Sequence, residues 1–311
     1  MKDELQHSRL RRQVKQALKA NGLPQRQAAR EMGMDESRFN LWLNNKYPGD
    51  NQEIATKAER WLELREKKTA AIAMLPEDPE WVETPTAKNI IQVLSYAHIA
   101  QKIAVVYGEA GAGKTRSCRH YAAINNNVWH ITITSASGTL AACLERIARG
   151  LGLHDYSGRA SRLEAELAEY LSNRKGLLIL DEAQHMNLKA LESVRALHDA
   201  TGMGLVLVGN EKVYSQLTGG TRQSAFSQLF SRVGKRLRLV EVKKGDVEML
   251  AAAWGVKDRA IISRLKKVAN EPGTLRGVAH VLQLAWLLAS GSGDDLTIEH
   301  IEASIRDLCA I

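Results

Sequence analysis

Two hydrophobic rhythms divide this chain, and the change between them falls near residue 85. Before it, apolar residues recur every three or four positions, the period of helices with one buried face. Leu10, Val14 and Leu18 share such a face, and Gly22 stops the run. Pro24 opens a second expected helix that closes near Gly33. Asp35 is placed to cap a third, which carries Phe39, Trp42 and Leu43 inward. Asp50 with Glu53 makes a capping-box pattern for a fourth helix bearing Ile54, Ala58, Trp61 and Leu62. Pro76, Pro79 and Pro85 then fall within ten residues, although the whole chain has six prolines, so an extended linker is expected over 67–87.

Beyond the linker, short apolar runs alternate with amphipathic stretches. Strands are expected at Ile103 to Tyr107, Val128 to Thr134, Leu177 to Leu180, Leu205 to Val208 and Leu237 to Val242. Helical patterns between them argue for an α/β domain over 88–242, a parallel sheet covered on both faces. From Lys243 the pattern is helical to the end, which predicts a helical subdomain over 243–311.

Charge adds an expectation about partners. The net charge of +8 favours an acidic partner, and no apolar run reaches the ~18 residues of a spanning helix, so nucleic acid is favoured over membrane. Residues 1–68 hold 15 Lys and Arg against 10 Asp and Glu, and residues 222–276 hold 13 against 5, which suggests two separate nucleic-acid contacts. Solvated helix faces would give the same balance. Three dispersed cysteines without a CxxC pair suggest neither zinc nor a disulfide framework, and the amino terminus lacks the apolar segment of a secretion signal. A cytoplasmic protein acting at DNA is expected.

The second and third helices, "QRQAAREMGMDESRFNLWLNNKY", have the dimensions of a helix-turn-helix, with Ala29 inside and Gly33 at the turn. This predicts a helix-turn-helix domain over 1–66 with Ser37, Arg38 and Asn40 facing DNA. A helical bundle for protein contact is the alternative.

The most specific signal is "GEAGAGKT", which fits GxxxxGK[ST], follows an expected strand and opens a helix. Gly108, Glu109, Ala110, Gly111, Ala112, Gly113, Lys114, Thr115 and Arg116 are expected to line an ATP phosphate site. The glycines let backbone amides turn inward, Lys114 neutralises the β- and γ-phosphates, and the Thr115 hydroxyl holds Mg²⁺. "LLILDEAQH" supplies the acidic element: Asp181 for the magnesium and Glu182 as base for the attacking water. "LVLVGN" ends in Asn210, placed to orient water or the γ-phosphate. Arg276 in "GTLRGV" is expected to sense that phosphate. Arg232 in "QLFSRVGKRLRL" competes with Arg222 and Arg236 as a cation acting on a neighbouring subunit.

The ordered set GEAGAGKT, LILDE, VGN, SRVGKR and GTLR resembles the AAA+ ATPases over about 88–311. With the amino-terminal helices, "VETPTAKNIIQVLSYA" and "FSQLFSRVGKRLRL", the whole chain resembles the Mu B family of transposition proteins. The resemblance implies ATP-driven assembly into helical homo-oligomers on double-stranded DNA without strong sequence preference, and disassembly on hydrolysis. It also implies a partner transposase that stimulates hydrolysis and is activated for strand transfer. Inside such a filament, the loop "TSASGTL" and Arg149 are expected to contact DNA. A helicase loader or replication initiator would use the same core, but only three phenylalanines and no aromatic row speak for single-strand stacking. A nucleotide-switched helix-turn-helix repressor is the remaining alternative.

Overall fold

The computed structural model describes residues 2–20, 22–74, 78–154, 159–218, 232–243, 245–292 and 294–309. By contacts the chain forms two compact units, residues 1–76 with 290–294, and residues 77–289 with 295–311.

In the first unit α1 (Lys2–Ala20), α2 (Gln25–Glu31), α3 (Glu36–Leu43) and α4 (Asn51–Met74) each contribute to one core. Leu10 and Val14 meet Ala28, Ala29, Phe39, Trp42, Ile54 and Ala58 there, following the helical period read from the sequence. The Asp35 carboxylate accepts from the amides of Ser37 and Arg38 and starts α3. Asp50 does the same for Gln52 and Glu53. The reciprocal half of the expected capping box is not made, because the Glu53 side chain bonds Arg38 and Lys57 instead. Helix α4 also runs to Met74, so residues 67–74 are helical where a linker was expected. Good helix formers on the turns before Pro76 extend it.

The second unit holds a five-stranded parallel sheet in the order β2–β3–β4–β1–β5. The strands are β1 (Ile103–Gly108), β2 (Val128–Thr132), β3 (Leu177–Asp181), β4 (Gly204–Gly209) and β5 (Val233–Leu239). The three central strands are buried at every position, which is why they read as unbroken apolar runs. Side chains alternate between faces: Ile103, Val105, Leu178 and Leu205 enter a core with α7 (Leu140–Gly150), α8 (Ala160–Leu171) and α9 (Leu188–Thr201). Ala104, Val106, Ile179 and Val206 face α5 (Pro85–Ala100) and α6 (Lys114–Ile124). A short helix, α10 (Glu211–Thr218), follows β4.

Two strand expectations are corrected. The edge strand β5 covers 233–239 rather than 237–242, since its sequence VGKRLRL carries exposed Lys235, Arg236 and Arg238 and so lacks the apolar run that marks the buried strands. Strand β2 ends at Thr132, and Thr134 caps a 3₁₀ turn over Ser135–Ser137.

Four helices follow: α11 (Asp246–Ala253), α12 (Arg259–Ala269), α13 (Thr274–Ser292) and α14 (Ile298–Cys309), with their own apolar cluster around Leu250, Leu265, Val278, Leu282 and Ile301. Their entry is fixed by the buried Asp246. Its carboxylate accepts from the amide and hydroxyl of Thr86 at 2.8 and 2.5 Å and from the Lys243 amide at 2.7 Å, tying the start of α11 to the start of α5. Among the described residues no helix is long and apolar enough to cross a membrane.

Asp246→Ala would strand three donors in a dry site, and we expect it to lower stability by about 2–4 kcal/mol. Chemical denaturation followed by tryptophan fluorescence measures this; a loss under about 1 kcal/mol would mean that Asp246 is not the fastening point.

Candidate nucleotide site

The carboxyl ends of β1, β3 and β4 converge where the chain turns one way from β1 toward β2 and the other way from β4 toward β5, the position at which open α/β sheets hold ligands. A cleft of about 690 Å³ opens there, within the usual range for small-molecule sites. It is lined by Gly108, Ala110, Gly111, Gly113 to Ser117, Glu182, Asn210 and Arg276.

The glycine loop is held from two sides. A Cβ on Gly108 would lie 2.0 Å from the carbonyl oxygen of Leu239, at the end of β5, and the Glu109 amide donates to that oxygen at 3.0 Å. A Cβ on Gly111 would lie 1.9 Å from the carbonyl oxygen of Gly273, just before α13. The Thr274 hydroxyl donates to the Ala110 carbonyl at 3.0 Å, with Thr274 itself at φ 45°, a rare conformation for a β-branched residue. Gly113 needs glycine for conformation alone: it caps α6 at φ 87° with nothing within 4 Å of its missing Cβ. Amides from Gly111 onward therefore open onto the positive end of α6.

The Lys114 ammonium donates to the carbonyls of Gly108 and Glu109 at 3.0 and 2.7 Å. Burial pulls its pKa below the ordinary lysine value, against Asp181, Glu182 and Glu109, which favour the charged form. The Thr115 hydroxyl donates to Asp181 Oδ2 at 2.7 Å, and His130 Nε2 lies 3.3 Å from the same oxygen. Burial pushes the Asp181 carboxyl upward, but hydrogen bonds from His130, Thr115 and the Glu182 amide together hold it below the usual aspartate value. A hydroxyl and an ionised carboxylate side by side are hard oxygen donors of the kind Mg²⁺ takes when a phosphate supplies the rest, so these residues fit that ion.

Glu182 leaves β3 in the left-handed conformation, φ 57°, and its Oε2 accepts from the Gln184 amide. Gln184 Oε1 in turn accepts from the Asn210 backbone amide at 3.4 Å, joining the ends of β3 and β4. Asn210 Oδ1 accepts from the Lys212 amide at 2.9 Å at the start of α10, and Asn210 lines the cleft. Arg276 projects from the first turn of α13 and is exposed in the cleft. Arg116 lines the cleft too, but its guanidinium bonds Asp78 and the Pro79 carbonyl.

Other expected residues are not brought to this cleft. Arg232 pairs with Asp199 at 2.9 Å, next to Val233 at the amino end of β5, the opposite end of the sheet from the glycine loop. Arg222 lies outside the described residues. Arg149 is exposed in the last turn of α7, about 15 Å along that helix from the 3₁₀ turn in TSASGTL. In the first unit Ser37 and Asn40 are exposed, with Asn40 Oδ1 accepting from Asn44 at 2.7 Å. Arg38 is bonded to Glu53 at 2.6 Å and lies over the Tyr47 ring. His130, Gln184 and Thr274 belong to the site but escape a motif reading. A polar residue inside the strand VWHIT and the glutamine of DEAQH are the only signals they leave.

This fold and cleft define an AAA-type P-loop domain. The family described as AAA domain matches residues 98–217, and that described as Mu B transposition protein, C terminal, matches residues 231–308. The chain is 40% identical over 283 residues to ATP-dependent target DNA activator B of Escherichia phage Mu, covering 91% of this chain and 89% of that protein. It is 35% identical over 265 residues to the Mu-like prophage FluMu DNA transposition protein B of Haemophilus influenzae, covering 85% and 91%. A chain in the structure of Drosophila ORC bound to DNA shares the fold, with a TM-score of 0.52 and 16% identity over 77% of this chain and 65% of that one. The chain belongs to the Mu B transposition protein family.

In unfolding experiments without nucleotide, Gly111→Ala should cost more stability than Gly113→Ala. The first adds a backbone clash to the roughly 1–2 kcal/mol that a left-handed alanine costs at either position. Equal losses would mean that the Gly273 contact does not hold the loop.

Proposed function

We propose that this protein binds and hydrolyses ATP, assembles with ATP into a helical oligomer on double-stranded DNA with little sequence preference, and presents that DNA to a transposase whose strand transfer it activates. The observation that carries the reading is the convergence of Lys114, the Thr115–Asp181 pair, Glu182, Asn210 and Arg276 on one cleft. It occurs in a chain 40% identical to an ATP-dependent target DNA activator.

In this reading the amides from Gly111 to Thr115 receive the phosphates, and the Lys114 ammonium exchanges the carbonyls of Gly108 and Glu109 for the β- and γ-phosphate oxygens. Desolvation in the cleft strengthens that pairing. Thr115 and Asp181 would hold Mg²⁺, which would supply positive charge against the phosphates. Glu182, steadied by Gln184, takes the proton of the attacking water, and Asn210 Nδ2 donates to the water or the γ-phosphate. Arg276 binds the γ-phosphate from the helical subdomain and so couples its presence to the position of those helices. Arg232 acts on the nucleotide of a neighbouring subunit, because its own lies at the far end of the sheet. A nucleotide shared between subunits in this way would make assembly depend on ATP.

The first unit is assigned as a helix-turn-helix that holds DNA through phosphates. The Arg38–Glu53 pair supports that choice over base reading, since a side chain committed to a carboxylate must first break that pair before it can reach a base. Contacts of this kind are salt-dependent and indifferent to sequence.

Lys114→Ala should abolish nucleotide binding and, with it, DNA binding. Glu182→Gln should keep both while lowering turnover by about 10²-fold or more, so that ATP-bound oligomers persist on DNA. Phosphate release and sedimentation of DNA complexes measure the two effects. A Glu182→Gln protein that hydrolyses ATP at the normal rate would remove Glu182 as the base.

A further inference from the structure

One residue of the glycine-loop segment does something other than what its place in the motif suggests. Arg116 follows Thr115 directly, yet its Nη2 donates to Asp78 Oδ2 at 2.9 Å and to the Pro79 carbonyl at 2.8 Å. His120, one turn further along the same face of α6, stacks flat on Trp81, with ring centroids 3.9 Å apart and planes 1° from parallel. Both side chains thus grip one extended segment, Asp78 to Thr84. The far end of that segment is fixed separately. Val82 packs on the apolar cluster of α11–α14, and the Thr84 side chain caps α5 through the Ala87 amide at 3.1 Å.

This strap is a wall of the nucleotide cleft: Asp78, Trp81, Val82 and Thr84 all line it. Apolar Ala87, Leu250, Trp254, Leu275 and Ala279 line the cleft as well, together with polar Arg119, His280 and Gln283, whereas the phosphate-binding groups lie along the glycine loop. A lining of apolar side chains and an aromatic face with a few polar groups among them suits a base and sugar rather than a polyphosphate.

We propose that Arg116 is a positioning residue for the base end of the nucleotide and not a phosphate ligand: with His120 it fastens the strap so that Trp81 and Val82 stand ready as the wall against which the base packs. The assignment rests on reading the cleft as a nucleotide site. The Arg116–Asp78 pair is about half exposed, 43% and 49%, so its direct Coulombic worth is small. Its effect comes from ordering seven residues of strap before the ligand arrives, a cost that binding would otherwise have to meet.

The two roles separate when ligands with and without a base are compared. Calorimetric titration of the full chain with ADP, Mg²⁺-ATP and inorganic tripolyphosphate would be made on the unaltered protein, Arg116→Ala, Asp78→Ala, the double variant and Arg116→Lys. We expect Arg116→Ala to weaken ADP and ATP equally, by about three- to tenfold, while tripolyphosphate changes by less than about twofold. Asp78→Ala should reproduce that pattern, and the double variant should be no worse than either single one. Arg116→Lys, which keeps a donor for Asp78, should recover most of the affinity. Equal weakening of all three ligands would make Arg116 a phosphate ligand and overturn the proposal. Unchanged nucleotide affinity would overturn it as well. If the unaltered protein binds none of the three, the nucleotide reading itself fails, and the strap assignment with it.

Discussion

The structure depends on a glycine loop pressed between two backbones. On one side the end of β5 meets Gly108 through the Leu239 carbonyl. On the other the turn before α13 meets Gly111 through the Gly273 carbonyl, and neither contact leaves room for a methyl group. Because the loop touches both the sheet and the helical subdomain, anything that fills it bears on both. Thr274, strained at φ 45° and bonded to the Ala110 carbonyl, is the joint, and Arg276 two residues later is carried by it. Strain of this kind persists only where neighbouring contacts hold it, and it gathers at sites that switch.

Around that loop the charges are arranged in opposition. Lys114 is held on carbonyl oxygens with its pKa lowered by burial, while Asp181 stays ionised although dry, because His130, Thr115 and a backbone amide all donate to it. The site is therefore polarised before any ligand enters. A polyphosphate with a divalent cation satisfies both halves at once, which a neutral ligand would not.

Much of this was legible in sequence, for local reasons. The glycine loop, the buried strand ending in Asp181 and Glu182, and the caps at Asp35 and Asp50 are short-range patterns whose residues announce their own geometry. The edge strand was misplaced because a basic, half-exposed strand looks like surface until its partner β1 is known. His130, Gln184 and Thr274 were missed because each acts on a residue distant in the chain, 51 positions away for His130 and 164 for Thr274. Arg116 was read by its motif neighbours, and only the fold shows Asp78 beside it. The residues expected to face DNA in the first unit are in the same position, since nothing local to Arg38 signals its pairing with Glu53 fifteen residues on.

The central claim is that nucleotide in this cleft controls a grip on DNA that does not read sequence. The most direct measurement is fluorescence anisotropy of a labelled random-sequence duplex titrated with the protein, with and without Mg²⁺-ATP and over a series of duplex lengths. The account predicts tight binding only with ATP, tightening with duplex length and weakening steeply with salt. Binding indifferent to ATP, or absent until one particular sequence is supplied, would contradict it and would place recognition in the amino-terminal helices alone.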